Sequence, residues 1–298
     1  MGNVTDAKIC MLEERANVIR QSIVSMLVEA GSGHTAGPLG MTDIFTYLFF
    51  FALNHKPEDP TWNGRDRLVL SNGHICPVLY ATMAHAGYFP LEELQTLRKF
   101  GSRLQGHPHR EFLPALETSS GPLGSGLSQA LGMVLADRID NGTRSNKFFY
   151  CMLGDGELNE GQNWEAIMLA GKEKPHNLIA IIDRNNIQID GFTERVMPLN
   201  DLRAKFASFN WHVQEIDGHN FEAIDDAVNQ AKVVFDMPSV IIAHTIPGKG
   251  VDFMERDFRW HGVPPGSGPE DEVKKSEQAA KALEELRTLG GKITCGDK

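Results

Sequence analysis

Two apolar runs that end in acids and amides carry the clearest chemistry in this chain. Phe148 to Leu153 leads directly into Gly154-Asp155-Gly156-Glu157, and Leu178 to Ile182 leads into Asp183-Arg184-Asn185-Asn186-Ile187. Short apolar runs bounded by such residues read as buried strands. An acid at the carboxyl end of a strand faces the crevice where open α/β sheets bind ligands, and flanking glycines let a phosphate approach the backbone. Gly-Asp-Gly alone also describes a plain turn closed by an Asx bond. The second run adds to it: Asp155 and Asn185 fall at the ends of two neighbouring strands, with the carbonyl of Ile187 close behind. Such oxygens suit Mg²⁺, which takes one or two protein ligands together with phosphate oxygens and water. Asn185 follows Asp155 by 30 residues and Ile187 follows it by 32, room for one crossover helix and a return strand.

The elements that must position these groups follow from periodicity. Ile9, Leu12, Ala16, Ile19, Ile23, Met26 and Leu27 recur at helical spacing up to the breaker Gly31-Ser32-Gly33, and a second helix follows Pro38. Farther on, strand-like runs at Leu68–Leu70, Phe148–Leu153, Leu178–Ile182, His212–Ile216 and Val240–Ala243 alternate with helices near Pro77–Ala86, Ser128–Ile139, Gly161–Ala170, Leu199–Phe209 and Phe221–Phe235. That alternation predicts an α/β fold with a mainly parallel sheet and helices on both faces. The Pro- and Gly-rich stretch Val263–Pro269 cannot hold a regular element. It divides a domain of residues 1–269 from an appendage of residues 270–298, a charged outer helix over Glu270–Leu289 with a frayed tail from Gly290. At 298 residues and 41% apolar the chain buries a substantial core, and its net charge of −10 provides no basic field for nucleic acid or anionic lipid. Any anion must be held by local devices. Cys10, Cys76, Cys151 and Cys295 show no metal or redox spacing, the start is polar, and the most apolar run, Ile44–Leu53, is about half the ~20 residues of a membrane span. That run reads as a buried helix, and the whole as a cytoplasmic protein.

Gly154-Asp155-Gly156 followed after about thirty residues by Asn185 resembles the thiamine diphosphate motif, in which Asp, Asn and a backbone carbonyl hold Mg²⁺ against the diphosphate. The surrounding segments narrow the resemblance to transketolase. Ser32-Gly33-His34-Thr35-Ala36-Gly37-Pro38-Leu39-Gly40 is similar to its SGHxxxPxG element, and Asp66 to His74 to its DRxxLSxGH element. Gly106-His107-Pro108, Thr118 to Gly126 and Trp260-His261-Gly262 follow in family order. The resemblance runs from about residue 15 to residue 262 and covers the diphosphate-binding half of a transketolase. Asp155–Gly191 and Gly248–Glu255 are similar to split transketolases, whose halves are separate subunits. It implies a thiamine diphosphate-binding fold of the diphosphate type. The function it implies is that of the N-terminal subunit of a two-component transketolase, which moves a two-carbon ketol unit from a ketose to an aldose. The resemblance also implies a complementary subunit that binds the pyrimidine and supplies the activating glutamate, in an α₂β₂ complex.

Carried over residue by residue, the resemblance assigns Mg²⁺ to Asp155, Asn185 and Ile187. It gives the cofactor to His74, Gly121, Pro122, Leu123, Gly154, Asp155, Gly156, Asn185 and His261, and the sugar and proton chemistry to His34, His74, His107 and His261. The other histidines read as structural: His55, His85, His109, His176 and His212 in loops or mixed surfaces, and His219 at a turn that opens a helix. Gly121-Pro122-Leu123 is also what a turn before a helix looks like. Glu160 is either a first-turn helix acid or, by resemblance, an interface acid that pairs with its symmetry mate. Glu157, with weaker support, reads as a solvated acid. The chain departs from many transketolases at His244-Thr245, where they carry Lys-Thr, and at Pro247. Rival readings are another thiamine diphosphate enzyme, of the deoxyxylulose phosphate synthase or 2-oxo acid dehydrogenase type, and a non-catalytic cofactor-binding module. Gln188-Ile189-Asp190-Gly191 stands against the dehydrogenase, and retention of all four histidines against the module.

Overall fold

The computed structural model describes residues 4–142 and 145–290, so the tail expected beyond Gly290 lies outside the described residues. Helices α1 (Asp6–Ala30) and α2 (Ala36–Tyr47) open the chain, followed by β1 (Arg67–Leu70), α3 (Cys76–His85) and α4 (Gly126–Asn141). Then come β2 (Phe149–Gly154), α5 (Gly161–Glu173), β3 (Leu178–Arg184), a small hairpin β4 (Ile187–Gln188) and β5 (Gly191–Phe192), and α6 (Thr193–Val196). The last part is α7 (Leu202–Ser208), β6 (His212–Asp217), α8 (Phe221–Val233), β7 (Ser239–His244) and α9 (Lys275–Gly290). Five strands form one wholly parallel sheet in the order β1-β2-β3-β7-β6. Each strand run predicted from the sequence lies within a strand of the sheet or overlaps it.

Strand alternation sorts the core into two layers. Tyr150 and Met152 of β2, with Ile179 and Ile181 of β3, pack on the side of α1, α2, α3 and α8. Phe149, Cys151 and Leu153, with Leu178, Ala180 and Ile182, pack against α4, α5 and α7. Both faces of the sheet are therefore covered, which is why β2 and β3 are continuous apolar runs. On the second face α5 lies so close to the turn after α7 that a Cβ on Gly171 would stand 1.8 Å from the carbonyl oxygen of Phe209.

Two expectations shift. The run Ile44–Leu53 is helical through Tyr47 and continues as a wider π-helical turn, Leu48–Ala52. The charged C-terminal helix begins at Lys275 rather than Glu270, because the Glu270 carboxylate accepts the Lys275 N–H at 3.0 Å from outside the helix. One face of α9 is buried on α1: Ala282 and Leu286 are fully covered, and Asn17 donates to the Leu286 carbonyl at 2.9 Å. Among the described residues no helix is long and apolar enough to cross a membrane.

Candidate active site

The parallel register places Gly154 of β2 beside Asp183 of β3, and Asp183 beside Ala243 of β7, so the carboxyl ends of three strands form one edge. Asp155 stands just past that edge, 1% exposed. Its Oδ1 accepts the Gly156 N–H at 2.7 Å, and its Oδ2 accepts the Asn186 N–H at 2.8 Å and Arg184 Nη1 at 3.0 Å. Arg184 is itself held by Glu194 at 2.6 Å. Burial raises the Asp155 carboxyl above its ordinary range, opposed by the Arg184 charge and the backbone N–H groups.

Asn185 and Asp183 form a second pair. The Asn185 amide donates to Asp183 Oδ2 at 2.8 Å, and Thr245 Oγ1 donates to Asp183 Oδ1 at 2.5 Å. Full burial pushes the Asp183 carboxyl up to about 7. The bond to Asp183 fixes which end of the amide is nitrogen, so Asn185 presents its oxygen toward Ile187, whose N–H it accepts at 3.0 Å. A carboxylate, an amide oxygen and the neighbouring backbone make a set of hard oxygen donors, which fits Mg²⁺ with a diphosphate and suits no soft metal. Among the described residues no cluster of three or more His, Cys, Asp or Glu has metal-binding geometry; the donors here are one carboxylate, an amide and a carbonyl.

Four histidines from four loops converge beside this edge. The His34 ring lies 4.9 Å from His74, 5.5 Å from His261 and 6.5 Å from His107, and His74 lies 5.2 Å from His261. Close loop packing brings them together. A Cβ on Gly33 would meet Leu27 at 2.6 Å, and one on Gly73 would meet Ser120 at 2.5 Å. Cys76 Sγ donates to the Gly106 carbonyl at 3.2 Å, tying the His74 turn to the His107 loop. Thr35 bonds the Val263 carbonyl at 2.7 Å, tying His34 to the His261 loop, which buried Trp260 anchors. Burial, reinforced for His34 by the charges of His261, Arg98 and His107, pushes His34 down to about 3 and His261 to about 4. His74 falls well below its usual value for the same first reason, and partial burial with the nearby Arg98 charge lowers the more exposed His107. All four are neutral imidazoles near pH 7, each carrying one donor and one acceptor nitrogen.

These groups share a cleft of about 440 Å³, whose lining includes the four histidines, Gly121, Leu123, Gly154, Asp155, Gly156, Asn185 and Ile187. Pro122 lies outside that lining, on the exposed loop, where its carbonyl accepts Ser125 Oγ at 2.9 Å. Glu160 is exposed at the start of α5 and makes no capping bond; its Cβ would stand 2.7 Å from one added to Gly124, at the lip of the cleft. A larger hollow, about 840 Å³, lies at the opposite end of the sheet around Phe148 and Asn177. It gathers none of these groups; within its lining Arg138 pairs with Glu173, and Asp137 pairs with Lys147.

One expectation is corrected here. Glu157 is not a solvated acid: it is 3% exposed and accepts hydrogen bonds from Ser71, Gly124 and Gly154. Sequence reasoning also passed over Arg184, Glu194 and Thr245, which hold Asp155 and Asp183, and Asn72, whose buried amide has no partner among the described residues and lies beside Gly154. His219, placed at a turn by the sequence, bonds Asp43 at 2.7 Å and accepts the Ile246 N–H at 2.8 Å, a structural role.

The sequence and the fold recur in known proteins. The chain is 42% identical over 252 residues to the 6-deoxy-6-sulfo-D-fructose transketolase subunit SqwG of Clostridium sp. (strain MSTE9), covering 85% of this chain and 90% of that protein. It is 37% identical over 274 residues to an apulose-4-phosphate transketolase subunit of Phocaeicola vulgatus, covering 92% and 96%. Its fold superposes on the transketolase of Pichia stipitis in complex with sedoheptulose 7-phosphate with a TM-score of 0.83 and 31% identity, covering 95% of this chain but 44% of that one. The chain thus spans nearly the whole of the subunit-type relatives and less than half of the longer transketolase. Residues 12–282 match the transketolase thiamine diphosphate binding domain, and with the strand-end acid and amide and the histidine cluster in place, the chain belongs to the transketolase family.

Proposed function

We propose that the chain is the N-terminal subunit of a two-component, cytoplasmic transketolase that transfers a two-carbon ketol unit from a ketose to an aldose. The observation that carries this reading is the convergence, in one cleft, of the Asp155–Asn185 oxygen pair with four neutral histidines. Asp155, Asn185 and the Ile187 carbonyl would hold Mg²⁺, with Gly154 and Gly156 leaving space for a diphosphate. Gly121, Leu123 and the adjacent Pro122 would form the wall toward the pyrimidine. When bound, thiamine diphosphate supplies the nucleophilic carbon and the electron sink for ketol transfer.

The protein's own part is orientation and proton movement. A neutral imidazole donates from one nitrogen and accepts at the other, so His34, His74, His107 and His261 can bond sugar hydroxyls and carry a proton between oxygens without a change of bulk pH. The Nδ1 atoms of His34 and His261 are buried without partners among the described residues, which leaves them free to bond a ligand. Deep burial of Asp155 keeps water from competing for the metal oxygens.

The subunit naming of the two relatives that the chain spans almost completely supports a complementary subunit. We place it over the cleft, in an α₂β₂ complex with Glu160 near its symmetry mate. The decisive experiment is reconstitution. The purified chain alone is expected to give no ketol transfer and to gain it with the complementary subunit, in a screen that includes pentose phosphates, a sulfonated fructose and apulose 4-phosphate. Turnover by the chain alone, or none from the reconstituted pair in the whole of that screen, would refute the proposal.

A further inference from the structure

Glu157 is a buried carboxylate that, among the described residues, has no cation against it and only hydroxyl or backbone N–H groups as partners. Three separate segments supply them: the Ser71 hydroxyl after β1, the Gly124 N–H at 2.7 Å in the loop before α4, and the Gly154 N–H at 3.0 Å at the end of β2. Ser71 Oγ in turn accepts the N–H of Gly126, the first residue of α4, at 3.0 Å. Burying a charge is costly unless every lone pair is used, so this arrangement has to be worth its desolvation.

The geometry around it explains why a carboxylate stands here. The first turn of a helix has N–H groups without intrahelical partners and a positive end of its dipole. At α4 the N-cap residue, Ser125, makes no capping bond; Ser71, itself held by Glu157, caps the Gly126 N–H instead, and Glu157 takes the N–H of Gly124 just before the cap. The segments pack nearly backbone to backbone. A Cβ on Gly126 would lie 2.4 Å from the Ser71 side chain, and one on Gly124 would lie 2.7 Å from Glu160. Large apolar side chains, which fix the relative position of most packed elements, have no room between them. Directional hydrogen bonds to one carboxylate do it instead.

We propose that Glu157 is a positioning residue: it locks the Gly121–Gly126 loop, the turn that carries His74 and the Gly154–Asp155 turn into one register before any ligand is bound. This rests on the reading of the cleft as the thiamine diphosphate site, and it adds to that reading the device that aligns the pyrimidine wall with the metal carboxylate. Glu157 itself is assigned no contact with cofactor or sugar.

Two substitutions test it. Glu157→Gln keeps the shape but turns one acceptor into a donor that faces an N–H or hydroxyl, and Ser71→Ala removes one donor and frees the Gly126 N–H while keeping the carboxylate. The readout that needs no ligand is hydrogen exchange of the full chain. Peptides over residues 121–127 are expected to exchange about tenfold faster in both variants, with the distant edge strand β6 unchanged. The apparent Kd for thiamine diphosphate with Mg²⁺ is expected to rise about tenfold. Wild-type exchange over 121–127 in both variants would overturn the proposal, as would uniform acceleration that includes β6, the mark of a general structural role. Asp155→Ala separates the two levels of the argument. If it weakens cofactor binding while Glu157→Gln and Ser71→Ala leave it unchanged, the positioning role alone fails; if Asp155→Ala has no effect, the site reading fails and takes the proposal with it.

Discussion

Acidification should destabilise this protein through His261, and the size of the effect can be worked from its environment. The ring is partly buried among His34 at 5.5 Å and His74 at 5.2 Å, and its Nδ1 has no partner among the described residues. Burial holds it down at about 4, against about 6.5 in an unfolded chain. Between those values the unfolded state binds more protons than the folded one, so stability rises with pH. The contribution is fully present above about pH 6.5 and is lost as pH falls toward 4. At pH 5 the unfolded imidazole is almost wholly protonated and the folded one about a tenth, a loss of about 2 kcal/mol relative to pH 7.5. His34, held at about 3, adds a contribution of the same sign. The assay is the unfolding midpoint of the wild type and His261→Asn at pH 7.5 and pH 5.0. The wild type should lose about 2 kcal/mol more than the variant over that interval, or about 3 °C in Tm. Parallel pH dependence in the two proteins would refute the argument that this imidazole is buried in its neutral form.

Two further outcomes follow from the geometry and one from the proposed assembly. Gly171→Ala should destabilise the chain by at least about 3 kcal/mol in urea unfolding, because the new Cβ would stand 1.8 Å from a backbone carbonyl that cannot move without shifting α7. Thr245→Val should cost about 2–3 kcal/mol, since it leaves an oxygen of the buried Asp183 carboxylate without its donor; an unchanged urea midpoint would contradict that network. In the assembly we propose, the chain alone sediments as a homodimer, and a heterotetramer forms once the complementary subunit is added. A monomer at micromolar concentration would reject the contact through Glu160.

The comparison of sequence and structure turns on range. Strand and helix positions were legible because the apolar runs that become β2 and β3 are buried on both faces, and local periodicity registers burial of that kind. Asp155, Asn185 and the four histidines were legible for a different reason: each lies in a short Gly- or Pro-marked segment whose residues recur together in transketolases. The start of α9 was misplaced by five residues because an acid that looks helical caps from outside.

What only the tertiary structure decided is which polar groups meet across the chain. Glu157 and Ser71 are 86 residues apart, Thr245 and Asp183 are 62 apart, and Arg184 is 29 from Asp155. Nothing in the neighbourhood of Glu157 marks it as buried, since an acid after Gly-Asp-Gly is equally at home in a solvated turn. Its burial follows from two strands and a helix end closing over it, a consequence of sheet order rather than of local pattern. The same holds for the histidines. Their residue types were evident one by one, but the neutral charge state they share comes from packing His74, His107 and His261 4.9–6.5 Å from His34 in a partly closed cleft. The sequence by itself therefore determined the elements and the chemistry they can carry, because both are written in short stretches. The environment that sets how that chemistry behaves was decided only when distant segments came together, because desolvation and hydrogen-bond partnership are properties of the folded surroundings.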